Sequence, residues 1–184
     1  RIFADNGSLN SIRVELFGGD LDFYKLRYNH QTAVPMTEAL TWNLRLRLGY
    51  GDSYGETIGL PFFERFTAGG VQSVRGYDRN SLGPRDSTNA AFGGTLQVIS
   101  TAELLIPIES FGSSETFRLG LYFDAGNVFD KANSFDAGEL RQSVGVSAKW
   151  FSVIGPLEFS YAFPINDLPG DDTQNFQFAL GAAF

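Results

Sequence analysis

Thr41-Trp-Asn-Leu-Arg-Leu-Arg-Leu-Gly-Tyr50 decides the fold class. Its period is two. Trp42, Leu44, Leu46, Leu48 and Tyr50 fall on one side of an extended chain, and Asn43, Arg45, Arg47 and Gly49 on the other. Alternation of this kind marks a strand with two unlike faces. In a soluble sheet the apolar face meets a dry core. Here the opposite face carries two arginines on one strand. That points to a wet interior inside an apolar exterior, the inverse of a soluble protein.

The same pattern recurs outward from this stretch. Ile12, Val14 and Leu16 oppose Arg13 and Glu15; Tyr24, Leu26 and Tyr28 oppose Lys25, Arg27 and Asn29. Leu96, Val98, Ala102 and Leu104 oppose Gln97, Thr101 and Glu103, while Phe117, Leu119, Leu121 and Phe123 oppose Arg118, Gly120, Tyr122 and Asp124. Val144, Val146, Ala148 and Trp150 oppose Ser143, Gly145, Ser147 and Lys149. Leu157, Phe159, Tyr161 and Phe163 oppose Glu158, Ser160 and Ala162, and Phe176, Phe178, Leu180 and Phe184 oppose Asn175, Gln177 and Gly181. These runs make about eight strands, each near the ~9–11 residues that cross a bilayer on a tilt. The expected fold is all-β, a transmembrane antiparallel β-barrel of about eight strands. A soluble antiparallel sandwich is the competing reading, with shorter strands and less cationic polar faces.

The connections differ in length. Phe17 to Asp22 and Ser152 to Pro156 read as tight turns; Pro107 to Thr116, Asp130 to Leu140 and Ile165 to Thr173 are longer and polar. The longest runs from 51 to 92. Short turns on the periplasmic side and long loops outside are the expected arrangement. Tyr50, Trp150, Phe151 and Phe163 lie near strand ends, where an interfacial aromatic girdle belongs.

Composition narrows the partners. A net charge of −7 argues against nucleic acid, whose phosphates need a basic surface. There is no cysteine, so neither a disulfide nor a thiolate site arises. No apolar run approaches the roughly 20 residues of a spanning helix. The start of the chain lacks the features of a signal peptide, so a mature chain or a piece of one is expected. No cofactor is indicated. Asp167, Asp171 and Asp172 flank Pro169-Gly170, but their spacing is not that of a calcium loop, and a polar turn is the expectation. No metal site is expected. A hydrolase needs a nucleophile with a positioned base. His30 is the sole histidine; it reads as a solvated strand-end residue whose neighbours Asn29 and Gln31 supply no carboxylate. No catalytic residues are expected.

One loop motif stands apart, Val74-Arg75-Gly76-Tyr77. An arginine between membrane-type strands either faces bulk water or turns inward to carboxylates. Glu103 and Asp124 both fall on the polar side of later strands. The pattern alone leaves both readings open.

Four stretches in order carry a family resemblance: Phe66-Thr-Ala-Gly-Gly-Val-Gln-Ser-Val-Arg-Gly-Tyr77 with Leu82-Gly83-Pro84, Phe123-Asp-Ala-Gly-Asn-Val-Phe129, Trp150-Phe-Ser-Val-Ile-Gly-Pro-Leu-Glu-Phe-Ser-Tyr-Ala162 and Gln174-Asn-Phe-Gln-Phe-Ala-Leu-Gly-Ala-Ala-Phe184. Over nearly its whole length the chain resembles the bacterial surface antigen family, on the side of its outer-membrane assembly factors. The resemblance implies residues 1–184 as the C-terminal half of a sixteen-stranded barrel, beginning at the ninth strand and without the soluble periplasmic domains of full-length members. It implies a factor that folds and inserts β-barrel proteins in the outer membrane of Gram-negative bacteria. Implied partners are outer-membrane lipid, unfolded barrel clients and accessory lipoproteins.

It further implies that the loop folds into the lumen and that Arg75 meets Glu103 and Asp124. A planar guanidinium suits that role because it forks to carboxylates. Gly76 is expected to let the backbone approach the wall, and Tyr77 to pack its ring there with the hydroxyl wet. Phe176, Phe178, Leu180 and Phe184 resemble the terminal-strand signal by which such machinery recognises its clients. A strand of this kind pairs through its main chain, with alternate side chains adding specificity; simple lipid-facing residues are the plainer reading. A related polypeptide-translocating barrel is the alternative function, with Arg13, Arg27, Arg45, Arg47 and Arg118 lining an anion-favouring pore. A half-barrel cannot leave its edges open in lipid. Self-closure into eight strands, expelling the Arg75 loop, is therefore expected, with a dimer as the other outcome.

Overall fold

The structure is a computed structural model and describes residues 6–37, 39–108 and 116–181. The alternating stretches become strands: β1 (Gly7–Phe17), β2 (Phe23–Pro35), β3 (Thr41–Ser53), β4 (Gly76–Tyr77), β5 (Leu96–Pro107), β6 (Phe117–Phe129), β7 (Arg141–Ser152), β8 (Gly155–Pro164), β9 (Thr173–Gln174) and β10 (Phe176–Leu180). Eight of them form one antiparallel sheet in the order β1-β2-β3-β5-β6-β7-β8-β10, a meander in which each strand pairs with the next. β4 and β9 pair separately as a two-stranded patch.

The two faces of this sheet differ as the period-two pattern requires. Along β6, Leu119, Leu121 and Phe123 are exposed, whereas Arg118, Tyr122 and Asp124 are buried. Val144, Val146 and Trp150 on β7 and Phe159, Tyr161 and Phe163 on β8 continue the exposed apolar face. Register keeps it continuous: Leu121 pairs with Val146, which pairs with Tyr161. A broad exposed apolar face bounded by strands of 10–13 residues matches the lipid-facing band of a barrel wall. Among the described residues no helix is long and apolar enough to cross a membrane, which leaves crossing by strands untouched.

The other face is covered by the connection from β3 to β5. Strand β3 runs on to Ser53 and β5 starts at Leu96, so the long loop is shifted from 51–92 to 54–95 and contains β4. Phe66, Ala68, Val74, Tyr77 and Leu82 of the loop pack with Ile99 of β5 and Val128 of β6 in one buried apolar cluster. Burying each large apolar side chain is worth about 1.5–3 kcal/mol, and this cluster helps to seat the loop on the wall.

Two expectations fail here. Among the described residues the sheet does not close on itself: β1 and β10 are its edges and do not pair. The physical reason is the loop. An eight-stranded closure leaves room inside only for side chains, and the space is taken by residues of 54–95 whose charged centre is buried against β5, β6 and β8. Nor do the two tight turns share an end. Strand order places 18–22 at the end that bears 54–95, 130–140 and 165–175, while 153–154 lies at the opposite end. These three long connections share one end, and 18–22 joins them there because an even number of strands separates it from each.

Candidate functional site

The site is built where the loop tip meets the inner faces of β5, β6, β7 and β8. The chain reaches it through a turn in which the Ser73 N–H donates to the Gly70 carbonyl. At Gly76 φ is +92°, and an added Cβ would stand 3.0 Å from the Ala162 Cβ and 3.4 Å from Pro164. Glycine therefore serves both the backbone angle and the close approach to β8.

Arg75 and Val74 are fully buried. The Arg75 Nε donates to Asp124 Oδ2 at 2.7 Å and Nη2 to Asp124 Oδ1 at 2.9 Å, a two-pronged grip. Nη1 donates to Glu103 Oε1 at 2.9 Å and to Glu158 Oε1 at 3.2 Å. The backbone N–H of Arg75 adds a bond to Asp124 Oδ2 at 3.1 Å. The guanidinium carbon sits 3.3 Å from the centroid of the Tyr122 ring, a stacked cation–π contact. Lys149 completes the cluster, with Nζ 2.6 Å from Glu103 Oε2 and 4.0 Å from Glu158 Oε1. The Ser147 hydroxyl donates to Glu103 Oε1 at 2.8 Å.

The charges nearly balance. Arg75 and Lys149 face Asp124, Glu103 and Glu158, all 3% exposed or less. Arg45 and Arg47 on β3 add positive potential, the first acting on Glu103 and the second on Asp124. The Arg47 guanidinium also donates to the Gln72 carbonyl of the loop. Buried ions persist only when paired and hydrogen-bonded, and these are. Both oxygens of Asp124 and of Glu103 are taken by Arg75, Lys149 and Ser147, and among the described residues no group of side chains has the make-up of a metal site.

The structure thus brings Arg75, Glu103 and Asp124 together. Glu158 and Lys149 join them. Both have the inward phase of the alternation, so the signal was present; what sequence lacked was the register aligning Lys149 with Glu158 and β10 with β8. Tyr77 differs from expectation. It is fully buried, and its hydroxyl donates to the Gln142 carbonyl at 3.3 Å instead of facing water. Burial and the nearby Asp171 raise that hydroxyl to about 12, so it stays protonated as a donor.

The remaining residues disperse. Phe176, Phe178 and Leu180 project from the exposed face of β10, with the Phe178 ring 4.9 Å from Phe159. Phe184 lies outside the described residues. His30 is inside β2, not at its end, and its Nδ1 lies 2.8 Å from Asn10 Oδ1. Asp171 accepts from Arg141 at 2.5 Å, and Asp172 pairs with Arg85 at 3.3 Å. Beside the loop is a cavity of about 970 Å³ whose charged lining is Lys25, Arg27, Arg47, Arg65 and Arg79, without a carboxylate.

Comparison with known proteins places this geometry in context. The Omp85 superfamily domain matches residues 1–184. Outer membrane protein assembly factor BamA of Neisseria meningitidis serogroup B is 33% identical over all of this chain, which corresponds to 27% of that protein. The protein of the same name from Nitratidesulfovibrio vulgaris is 32% identical over 91% of this chain and 21% of its own length. A crystal structure of BamA from Haemophilus ducreyi lacking POTRA domains 1-3 superposes with a TM-score of 0.84 at 28% identity, over 96% of this chain and 38% of that one. The chain spans about a quarter of the length of the curated relatives it matches.

Proposed function

The chain belongs to the Omp85 superfamily, and from that premise we propose that it forms the C-terminal part of the membrane barrel of an outer-membrane protein assembly factor. The observation that carries this reading is the Arg75 cluster: a loop arginine buried against carboxylates of three different strands. It holds the Val74–Tyr77 segment inside the wall, where a loop left in water would have no reason to stay. The likeness to proteins named assembly factors over the whole chain supports the same reading.

In this proposal the exposed apolar face meets outer-membrane lipid of a Gram-negative cell. Unpaired strand edges in hydrocarbon cost several kcal/mol per group, so β1 and β10 are met there by further strands. The partners are unfolded β-barrel clients and accessory lipoproteins. Phe176, Phe178, Leu180 and Phe184 form a terminal-strand signal. The role is one of holding and templating rather than catalysis.

The test is replacement of the corresponding barrel segment of a BamA protein by this chain, in cells depleted of their own factor. Outer-membrane barrel proteins should accumulate with Arg75 present and fall sharply with Arg75→Ala at equal levels of the folded hybrid. Equal accumulation with both would defeat the proposal. The cation-lined cavity favours a second reading, a translocating pore. Steady open conductance of the hybrid in planar bilayers, without barrel assembly in cells, would select it.

A further inference from the structure

The terminal strand β10 is the least secured of the large sheet. It has five residues, and among the described residues it pairs with β8 alone. Phe176, Phe178 and Leu180 face outward, each more than half exposed. Its deeply buried side chain is Gln177, 5% exposed.

Gln177 does not simply fill space. Its Nε2 donates to the Tyr77 carbonyl at 2.7 Å, and its Oε1 accepts from the Gly76 N–H at 3.4 Å. A side-chain amide carries a donor and an acceptor in one plane, as a peptide unit does. It can therefore serve the N–H of one residue and the C=O of the next together. A carboxylate offers only the acceptor, and an ammonium only the donor. The contact is reinforced beside it. Gly76 and Tyr77 pair with Gln174 and Thr173, and the Asp78 N–H donates to the Asp172 carbonyl at 2.8 Å. The residue before this pair is Arg75.

We infer that Gln177 is a positioning residue that clasps the terminal strand to the Val74–Tyr77 loop, so that β10 and the buried Arg75 cluster are held or released together. Coupling of this kind is reciprocal: what loosens the loop loosens the strand, and the reverse. The inference concerns this chain's own coupling and stands independently of what the protein assembles.

Hydrogen–deuterium exchange on the full chain in detergent micelles tests it, with wild type, Gln177→Leu, Gln177→Glu and Arg75→Ala. Gln177→Leu should speed exchange about tenfold both in 176–180 and in 74–78, the loss expected for two buried hydrogen bonds. Gln177→Glu, which keeps the acceptor, should give a smaller rise in the same two segments. Arg75→Ala should speed exchange in 176–180, although that segment lies about a hundred residues further along the chain. Amides of β3 serve as the reference for global opening, and the acceleration in the two segments should exceed theirs in every variant. Acceleration confined to 176–180 in the Gln177 variants, or a β10 indifferent to Arg75→Ala, would overturn the inference. If Gln177→Leu does not fold, Gln177→Glu and Arg75→Ala decide the matter on the same two segments.

Discussion

Arg75 engages Asp124 with backbone and side chain at once: its N–H lies 3.1 Å and its Nε 2.7 Å from the same Oδ2, while Nη2 lies 2.9 Å from Oδ1. One carboxylate thus fixes the guanidinium and the backbone that bears it. Glu103 and Glu158 fix its other edge. Arg75 thus keys the tip of the loop to the wall.

Removal of that residue should be costly. Arg75→Ala leaves Asp124, Glu103 and Glu158 buried without the guanidinium that binds all three, and a loss of about 3–5 kcal/mol is expected. Arg75→Lys should recover only part of it, because a point charge cannot fork to three carboxylates. Urea unfolding of each variant in detergent micelles measures both, and proteolysis within 54–95 should rise in parallel.

Lys149 carries the second share of the charge balance. Lys149→Met should cost roughly 3 kcal/mol, since it strands Glu103 and Glu158 without their ammonium. Glu158→Gln should then be less harmful in the Lys149→Met background than in the wild type, because it removes the surplus negative charge. Additive losses in the double variant would argue that Lys149 and Glu158 do not share one electrostatic network.

Space at the cluster is set by Gly120 on β6. A Cβ there would collide with the Ser147 hydroxyl and come within 2.7 Å of Glu103 Oε1. Both groups are buried and hydrogen-bonded, so neither can swing away freely. Gly120→Ala should destabilise by about 1–3 kcal/mol, and the same urea series will show it.

The exposed face is read as lipid-facing, and Val146 lies well within it, between Leu121 and Tyr161. Val146→Arg should cost about 2–4 kcal/mol for the protein folded in phospholipid vesicles, as expected for a cation near the midplane. A cost near zero would mean that this position sits at water level or faces another protein.

Asp86 gives a pH signature in the loop. Its carboxylate accepts from the Thr88 hydroxyl at 2.7 Å, the Ala90 N–H at 3.0 Å and the Thr88 N–H at 2.8 Å. These bonds hold it below the ordinary value of 3.8, the Thr88 hydroxyl contributing most. A depressed folded value means that the turn is supported above 3.8 and loses that support as pH falls through the folded value. Exchange at the Thr88 and Ala90 amides should therefore rise, relative to intrinsic rates, in acid. In Asp86→Asn that pH dependence should vanish.

Much of this was legible in the residues. The alternation at 41–50 and its repeats fixed eight strands and assigned Glu103, Asp124, Lys149 and Glu158 to the inner face, because period two is a local property. The pairing of Lys149 with Glu103 was not, since it depends on the register across β5, β6 and β7 and on a loop descending between them. The buried Tyr77 hydroxyl escaped for the same reason: its acceptor is a backbone carbonyl at Gln142, which no side-chain pattern marks. Self-closure was a sound argument about open edges but supposed that the loop is expelled, whereas the Arg75 ion pairs hold it against the wall. β4 and β9 are two residues each and lie below any periodicity.

The keyed loop is tested most directly by a double-mutant cycle across Arg75→Ala and Asp124→Ala, read as unfolding free energy of the full chain. The two residues should be coupled by roughly 2–3 kcal/mol, with the double variant far less harmed than the sum of the singles. Additivity within about 0.5 kcal/mol would mean that Arg75 is not held by Asp124 in the folded protein, and the keyed loop would be wrong.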